Sequence, residues 1–235
     1  MYPAPSPEPG ATTEMVILNT IMNAFLLVYA ALFPIVNPIA DAPLFLGLTQ
    51  FCTDAQRNLL ARRVAFNSFF LLVGSLFIGS HVLEFFGISL PVVRVGGGLV
   101  VTAFGWKLLN AEPNPTMADG APVKTLPDPF YPLTMPLTVG PGSISVAITL
   151  GSQRPKTAGL EQFGLLAAGA VAGTVALALT VYLSYRFAQR LVKLLGPDGT
   201  QVVVRLSAFI LLCIGIQILW SGVSELAALL PQQSR

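Results

Sequence analysis

The stretch FPIVNPIADAPLF, residues 33–45, interrupts an apolar run long enough to cross a membrane, and it holds three prolines, an asparagine and an aspartate. Proline lacks a backbone donor and disfavours the helical state of the residue before it, so Pro34, Pro38 and Pro43 predict a helix that unwinds here. In hydrocarbon every backbone polar group needs a partner inside the protein, so a broken helix is tolerated only where it is buried or lines a wet cavity. The break is expected to present freed carbonyls and amides near mid-membrane, together with Asn37 and Asp41. A carboxylate near the bilayer centre costs at least about 2.5 kcal/mol on insertion scales, so Asp41 has to be paired, protonated or functional. Two compatible readings stand: coupling to a proton or cation, or capping of the resumed half-helix by accepting from its first amides.

The rest of the chain has the composition of a membrane protein. Of 235 residues, 54% are hydrophobic and 10% charged, and the formal net charge of +2 is too weak and too scattered for nucleic-acid binding. The single histidine, His81, leaves no Ser-His-Asp set and suits an interfacial position; Cys52 and Cys213, far apart, read as packing residues. No phosphate-binding GxxxxGK[ST] loop is present, and GPDG at 196–199 reads as a plain turn. An enzyme is therefore not expected, nor a cofactor or a metal site.

Six apolar stretches have the roughly 17–25 residues needed to span hydrocarbon. They cover approximately 16–49 with the break inside, 65–86, 91–110, 130–152 with a second break, 160–184 and 203–229. Short positively charged loops stay cytoplasmic. Arg57, Arg62, Arg63, Lys107, Lys124, Arg186, Arg190 and Lys193 fall on one side, against Arg154, Lys156 and Arg235 on the other, which puts both termini outside. Residues 1–14, rich in proline and without Lys or Arg, read as a disordered tail.

The polar segment AEPNPTMADGAPVKTLPDP, 111–129, looks like a linker between two halves, 15–110 and 130–230. Short internal matches support that division. LPVVRVGGGL (90–99) parallels QVVVRLSAFI (201–210), so Arg94 and Arg205 are equivalent, and FPIVNPIAD (33–41) parallels MPLTVGPGS (135–143) with one insertion. Three helices per half force the second half to enter the membrane in the opposite sense. The fold class expected is all-α and polytopic: six transmembrane helices in two inverted three-helix repeats, with helices one and four discontinuous.

In helix four, Pro136, Gly140, Pro141 and Gly142 make the second break, with hydroxyls from Thr138, Ser143 and Ser145. Facing half-helix ends carry opposite partial charges, amides for a carboxylate and carbonyls for an ammonium, which suits a zwitterion. Arg94 and Arg205 are expected to lock the broken segments by bonding freed carbonyls, as supports first and gates second. Gly169 and Gly173 in helix five let another backbone approach closely; Gln217 in helix six either lines the cavity or bonds a neighbouring helix.

Taken together, NPIADAPLF (37–45), PLTVGPGS (136–143) and the arginine-led openings of helices three and six resemble the MarC family of bacterial inner-membrane proteins, which includes the SnatA-like small neutral amino acid transporters. The resemblance covers roughly residues 18–225. It implies a six-helix inverted-repeat protein of the inner membrane, some of whose relatives move glycine, alanine and similar solutes. The family pattern usually reads Asn-Pro-Ile-Gly-Asn, whereas this chain has Ala40 and Asp41, a charge where the family commonly has an amide.

The function expected is secondary transport of a small polar or zwitterionic solute, a small neutral amino acid favoured, by alternating access with proton or cation coupling. The alternative is a non-transporting membrane scaffold or assembly protein. Asn37, Asp41, Thr138, Gly140, Gly142 and Ser143 are the expected solute contacts; Pro38, Pro43, Pro141, Arg94 and Arg205 are structural or gating residues. The partners expected are that solute and the lipid bilayer, and self-association into a homo-oligomer is left open.

Overall fold

The computed structural model describes residues 9–110, 127–153 and 159–229. The linker apart from 127–129, the tail apart from 9–14, and Lys124, Arg154, Lys156 and Arg235 lie outside the described residues. Among the described residues the chain is helical, without a strand. Predicted helix one is α1 (Pro9–Val36) followed by α2 (Pro38–Leu48); helices two and three are α3 (Asp54–Phe85) and α4 (Leu90–Leu109). Helix four is a π-helical turn, Leu133–Thr138, followed by α5 (Pro141–Ser152); helices five and six are α6 (Leu160–Arg186) and α7 (Ala188–Leu229).

Among the described residues four helical segments are long and apolar enough to cross a membrane: Glu14–Val36, Asp54–Phe85, Leu160–Arg186 and Gln201–Ala228. At 1.5 Å per residue the 20 residues of α4 reach about 30 Å. Helix α7 bends at Gly196, where φ is 68° and ψ 176°. The chain thus breaks at the start of GPDG, where two helical stretches meet, and glycine is what admits that positive φ.

Small residues set how these helices pack. Glycine has no Cβ, so two backbones can meet without a side chain between them, which is how helices associate where solvent gives no drive. The most extensive contact joins α4 to α7. In that seam Gly98 lies against Leu219, Gly105 against Leu212, Gly215 against Thr102 and Gly222 against Val95, so the two helices run antiparallel with glycines a heptad apart on each side. Helix α6 runs parallel to α1: Gly169 abuts Ile21, Gly173 abuts Phe25, and Tyr29 bonds Thr180 at 3.2 Å. Helix α3 runs parallel to helix four, with Asn67 bonding Thr134 at 3.4 Å and Gly79 against Ile148. Against α6 and the start of α7, α3 is antiparallel, since Asn58 accepts from Tyr182 and Asp54 from Gln189.

These pairings bring the start of α3, the end of α4, the end of α6 and the start of α7 to one end of the bundle. Arg62, Arg63, Lys107, Arg186, Arg190 and Lys193 are exposed there. The buried core lies among α1, α2, α3, helix four and α6, centred on Leu32, Val36, Phe45, Leu72, Leu133, Leu177 and Tyr185.

Candidate functional site

Both breaks use one two-residue device. Asn37 and Gly140 are the N-cap residues of α2 and α5, and Pro38 and Pro141 take the first helical positions, where a missing N–H breaks no helical bond and the ring presets φ. The ring also disfavours the right-handed helical region for the preceding residue. Asn37 answers with a left-handed φ of 45° and ψ of 53°, a conformation asparagine tolerates better than most residues; Gly140 is extended.

The first break is narrower than the sequence suggests. The Asn37 amide still donates to the Phe33 carbonyl at 2.8 Å, and its own carbonyl accepts from the Asp41 amide at 3.1 Å. One left-handed residue therefore separates α1 from α2, and Pro34 and Pro43 sit inside helices. Glu14–Val36, up to this break, is by itself long and apolar enough to cross a membrane.

The second break is wider. Residues 133–138 form a π-helical turn in which Met135 is extended, at φ −116° and ψ 124°, and Val139 is extended too, so the first part of predicted helix four is not a regular helix. Helix α5 then starts beside the middle of α4. Gly142 abuts the Val101 side chain, and the Ser145 hydroxyl donates to the Val93 carbonyl at 3.1 Å.

A cavity of about 80 Å³ opens at this second break. It is lined by Thr138, Gly140, Pro141, Gly142 and Ser143, by Ile35 from the last turn of α1, and by apolar side chains of α4 and α7 that include Val101, Phe104 and Leu211. The first amides of α5, Gly142 and Ser143, have no intrahelical acceptor and carry the positive end of the helix dipole. The last carbonyls of α1 carry the negative end, and Pro38 has no donor to offer the Pro34 carbonyl.

Two hydroxyls complete the polar lining. The Ser143 hydroxyl donates to the Gly140 carbonyl at 2.9 Å. The Thr138 hydroxyl donates to the Leu133 carbonyl at 2.7 Å and lies 2.8 Å from the Tyr185 hydroxyl. With its single proton directed to Leu133, Thr138 accepts from Tyr185.

Four of the six expected solute contacts, Thr138, Gly140, Gly142 and Ser143, therefore line one cavity, and Asn37 and Asp41 do not. Asn37 is half-buried at the break. Asp41 is only 3% exposed, in the first turn of α2, on the side where Phe45 stacks on Tyr185 with ring centres 4.3 Å apart. No side chain caps α2. Pro38 fixes the start of the helix and gives the cap position to Asn37, so Asp41 falls inside the first turn, where its carboxyl meets the positive end of the dipole.

The two arginines do not brace the breaks. Arg94 pairs with Glu225 across the α4–α7 seam, and Arg205 is exposed. Arg57 does the work expected of them. It is 7% exposed; its guanidinium donates to the Thr49 hydroxyl at 3.2 Å, the Thr49 carbonyl at 3.1 Å and the Cys52 carbonyl at 3.2 Å, and pairs with Asp54 at 2.9 Å. It closes the C-terminal end of α2, helped by the Thr53–Gln56 capping box that starts α3. That box is readable in TDAQ at 53–56; the reach of Arg57 back to Thr49 is not.

Gln217 and Cys213 are exposed on α7 rather than in the cavity or the packing, and His81 is exposed near the end of α3. No solved structure matches the chain. A family model described as MarC family integral membrane protein matches residues 22–227. The UPF0056 inner membrane protein MarC of Escherichia coli K12 is 30% identical over 203 residues, covering 83% of this chain and 91% of that protein. The proteins of the same name from Escherichia coli strains UTI89 and CFT073 match to the same extent. With the resemblance carried by the two Asn-Pro and Gly-Pro breaks extended over most of its length, the chain belongs to the MarC family and is an integral inner membrane protein.

Proposed function

We propose that the protein is a secondary transporter of a small polar or zwitterionic solute, a small neutral amino acid above all, working by alternating access and coupled to a proton or cation. The observation that carries this reading is the cavity of about 80 Å³ at Gly140–Ser143, lined by the first residues of α5 and, from the last turn of α1, by Ile35. A carboxylate directed to the Gly142 and Ser143 amides and an ammonium directed to the α1 carbonyls match those ends, and apolar walls leave space for a hydrogen or methyl side chain. The same walls exclude long or charged side chains.

The architecture proposed is six spans in two inverted repeats of three. In its support, α1 runs with α6, α3 runs with helix four, and α3 opposes α6, so the broken helices of the two halves oppose each other. Such pairs let one half rock against the other around a shared site. Both termini are assigned to the periplasm, because the exposed basic residues gather at the other end.

The test is uptake of radiolabelled L-alanine and glycine into proteoliposomes under an imposed proton or sodium gradient. Concentrative uptake that falls at least tenfold in Gly142→Leu is expected. Flux equal to that of empty liposomes across the small neutral amino acids would overturn the transport reading and leave the scaffold alternative.

A further inference from the structure

The arginines of this chain are met in two ways. Arg57 pairs with Asp54 and Arg94 with Glu225, and these are the ion pairs among the described residues. Arg186 and Arg190, at the basic end of the bundle, have aromatic rings where those two have carboxylates. The Arg186 guanidinium lies 5.6 Å from the centre of the Phe187 ring and 5.7 Å from that of Tyr182, and the Arg190 guanidinium lies 5.3 Å from the same Phe187 ring. A ring face attracts a cation without neutralising it, so two full positive charges are gathered on one exposed ring at the turn from α6 into α7. Tyr182 steadies the first of them, accepting from Arg186 at 2.6 Å while it donates to Asn58 at 3.1 Å.

An apolar stripe leads up to this pair. Val175, Leu179 and Leu183 of α6 and Phe187 at its C-cap recur every four residues, which sets them along one side of the helix. All four are exposed, Val175 by 49%, Leu179 by 54% and Leu183 by 42%. From Val175 to Leu183 the stripe rises about 12 Å at 1.5 Å per residue, most of the roughly 15 Å that the hydrocarbon of one leaflet occupies. Helix α6 is long and apolar enough to cross a membrane and ends at Arg186, so the guanidinia fall at headgroup level with the stripe beneath them.

We propose that this elbow binds one anionic phospholipid, an acyl chain lying along the Val175–Leu183 stripe and the phosphodiester seated on Arg186 and Arg190. Guanidinium suits a phosphate because its N–H donors are paired in a fixed fork and it is more weakly hydrated than an ammonium. A headgroup of net negative charge answers two arginines without carboxylates, whereas a zwitterionic headgroup brings an ammonium of its own towards them. A soluble anion would use the arginines and leave the stripe bare; a second apolar helix would cover the stripe and leave the arginines unanswered. The lipid meets both. Arg62, Arg63 and Lys193, exposed at the same end, add general attraction to an anionic surface. This inference concerns a lipid partner and stands apart from the transport reading.

The test is native mass spectrometry of the full chain released from detergent micelles, with dioleoylphosphatidylglycerol or dioleoylphosphatidylcholine added at equal concentration. The parent is expected to retain phosphatidylglycerol over phosphatidylcholine by about tenfold. Arg186→Gln combined with Arg190→Gln should bring that preference to within about twofold, and Arg62→Gln combined with Arg63→Gln should leave it as in the parent. Leu179→Asn, which interrupts the stripe and leaves both arginines in place, should weaken retention of phosphatidylglycerol about threefold or more, and it tests the site even if the paired Arg186 and Arg190 variant fails to fold. A parent without preference, equal loss in the two double variants, full retention in Leu179→Asn, or displacement of the lipid by millimolar glycerol 3-phosphate would each overturn the site. So would a dimer that Leu179→Asn dissociates, because the stripe would then belong to a second copy of the chain.

Discussion

The two breaks share their chemistry and differ in their surroundings. Each is a residue barred from the helix by the proline that follows it, and each restarts a short half-helix, 11 residues in α2 and 12 in α5. At Asn37 the chain spends one residue, keeps the flanking hydrogen bonds, and closes the far end of α2 with a buried arginine. At Gly140 the approach is a π-helical turn with two extended residues, and the first residues of α5 line a cavity. The same local signal thus makes a sealed joint in one half and an open one in the other. What separates them is neither proline nor glycine alone but the neighbours brought by α3, α4 and α7.

Substitutions at four positions can break or sharpen that contrast. The largest effect is expected at the open joint. A Cβ at Gly142 runs into Val101, so Gly142→Leu overpacks the cavity, costs about 1–3 kcal/mol of stability and abolishes uptake; uptake close to parental would move the site elsewhere. At the sealed joint, Arg57→Ala strips the Thr49 and Cys52 carbonyls of their donors, and chemical denaturation in detergent should register a loss of about 2–3 kcal/mol. A loss below 0.5 kcal/mol on the order used for a single weak bond would mean that the arginine only decorates the end of α2.

Asn37→Ala comes next, because a left-handed conformation costs alanine about 1–2 kcal/mol, whereas Asn37→Gly should be close to neutral. Equal stability of the alanine and glycine variants would contradict the left-handed joint. The smallest effect is expected from Glu225→Gln, which breaks the pair with Arg94 on a side chain 46% exposed and should cost no more than about 1 kcal/mol. A much larger cost would return Arg94 to the role the sequence proposed for it.

How far the sequence could be read follows from which features are local. Pro38 and Pro141 mark both breaks correctly, because a missing donor and a barred preceding conformation act within two residues. The extent of each break was not legible: three prolines in residues 33–45 suggest unwinding, but Pro34 and Pro43 are absorbed into helices once neighbours pack around them. Gly169 and Gly173 reveal a close approach but not to which helix. The four glycines of the α4–α7 seam become meaningful only when 98 meets 219 and 105 meets 212.

Asp41 illustrates the same limit. Its proximity to Asn37 in sequence suggested a shared site with Thr138 and Ser143, but in α2 it is buried outside the cavity lining. Tyr185 itself carried no signal among apolar residues of a spanning helix. Its importance arises from contacts more than 40 residues away in the chain, with Thr138 and Phe45.

The account stands most directly on the Gly140–Ser143 cavity being a solute site reached in turn from both sides of the membrane. The measurement is labelling of Ser143→Cys, in a Cys52→Ser and Cys213→Ser background, by a membrane-impermeant thiol reagent applied from either side of oriented vesicles, with and without L-alanine. Labelling from both sides, slowed severalfold by L-alanine, is the predicted result; labelling from one side only, or at a rate L-alanine leaves unchanged, would contradict it.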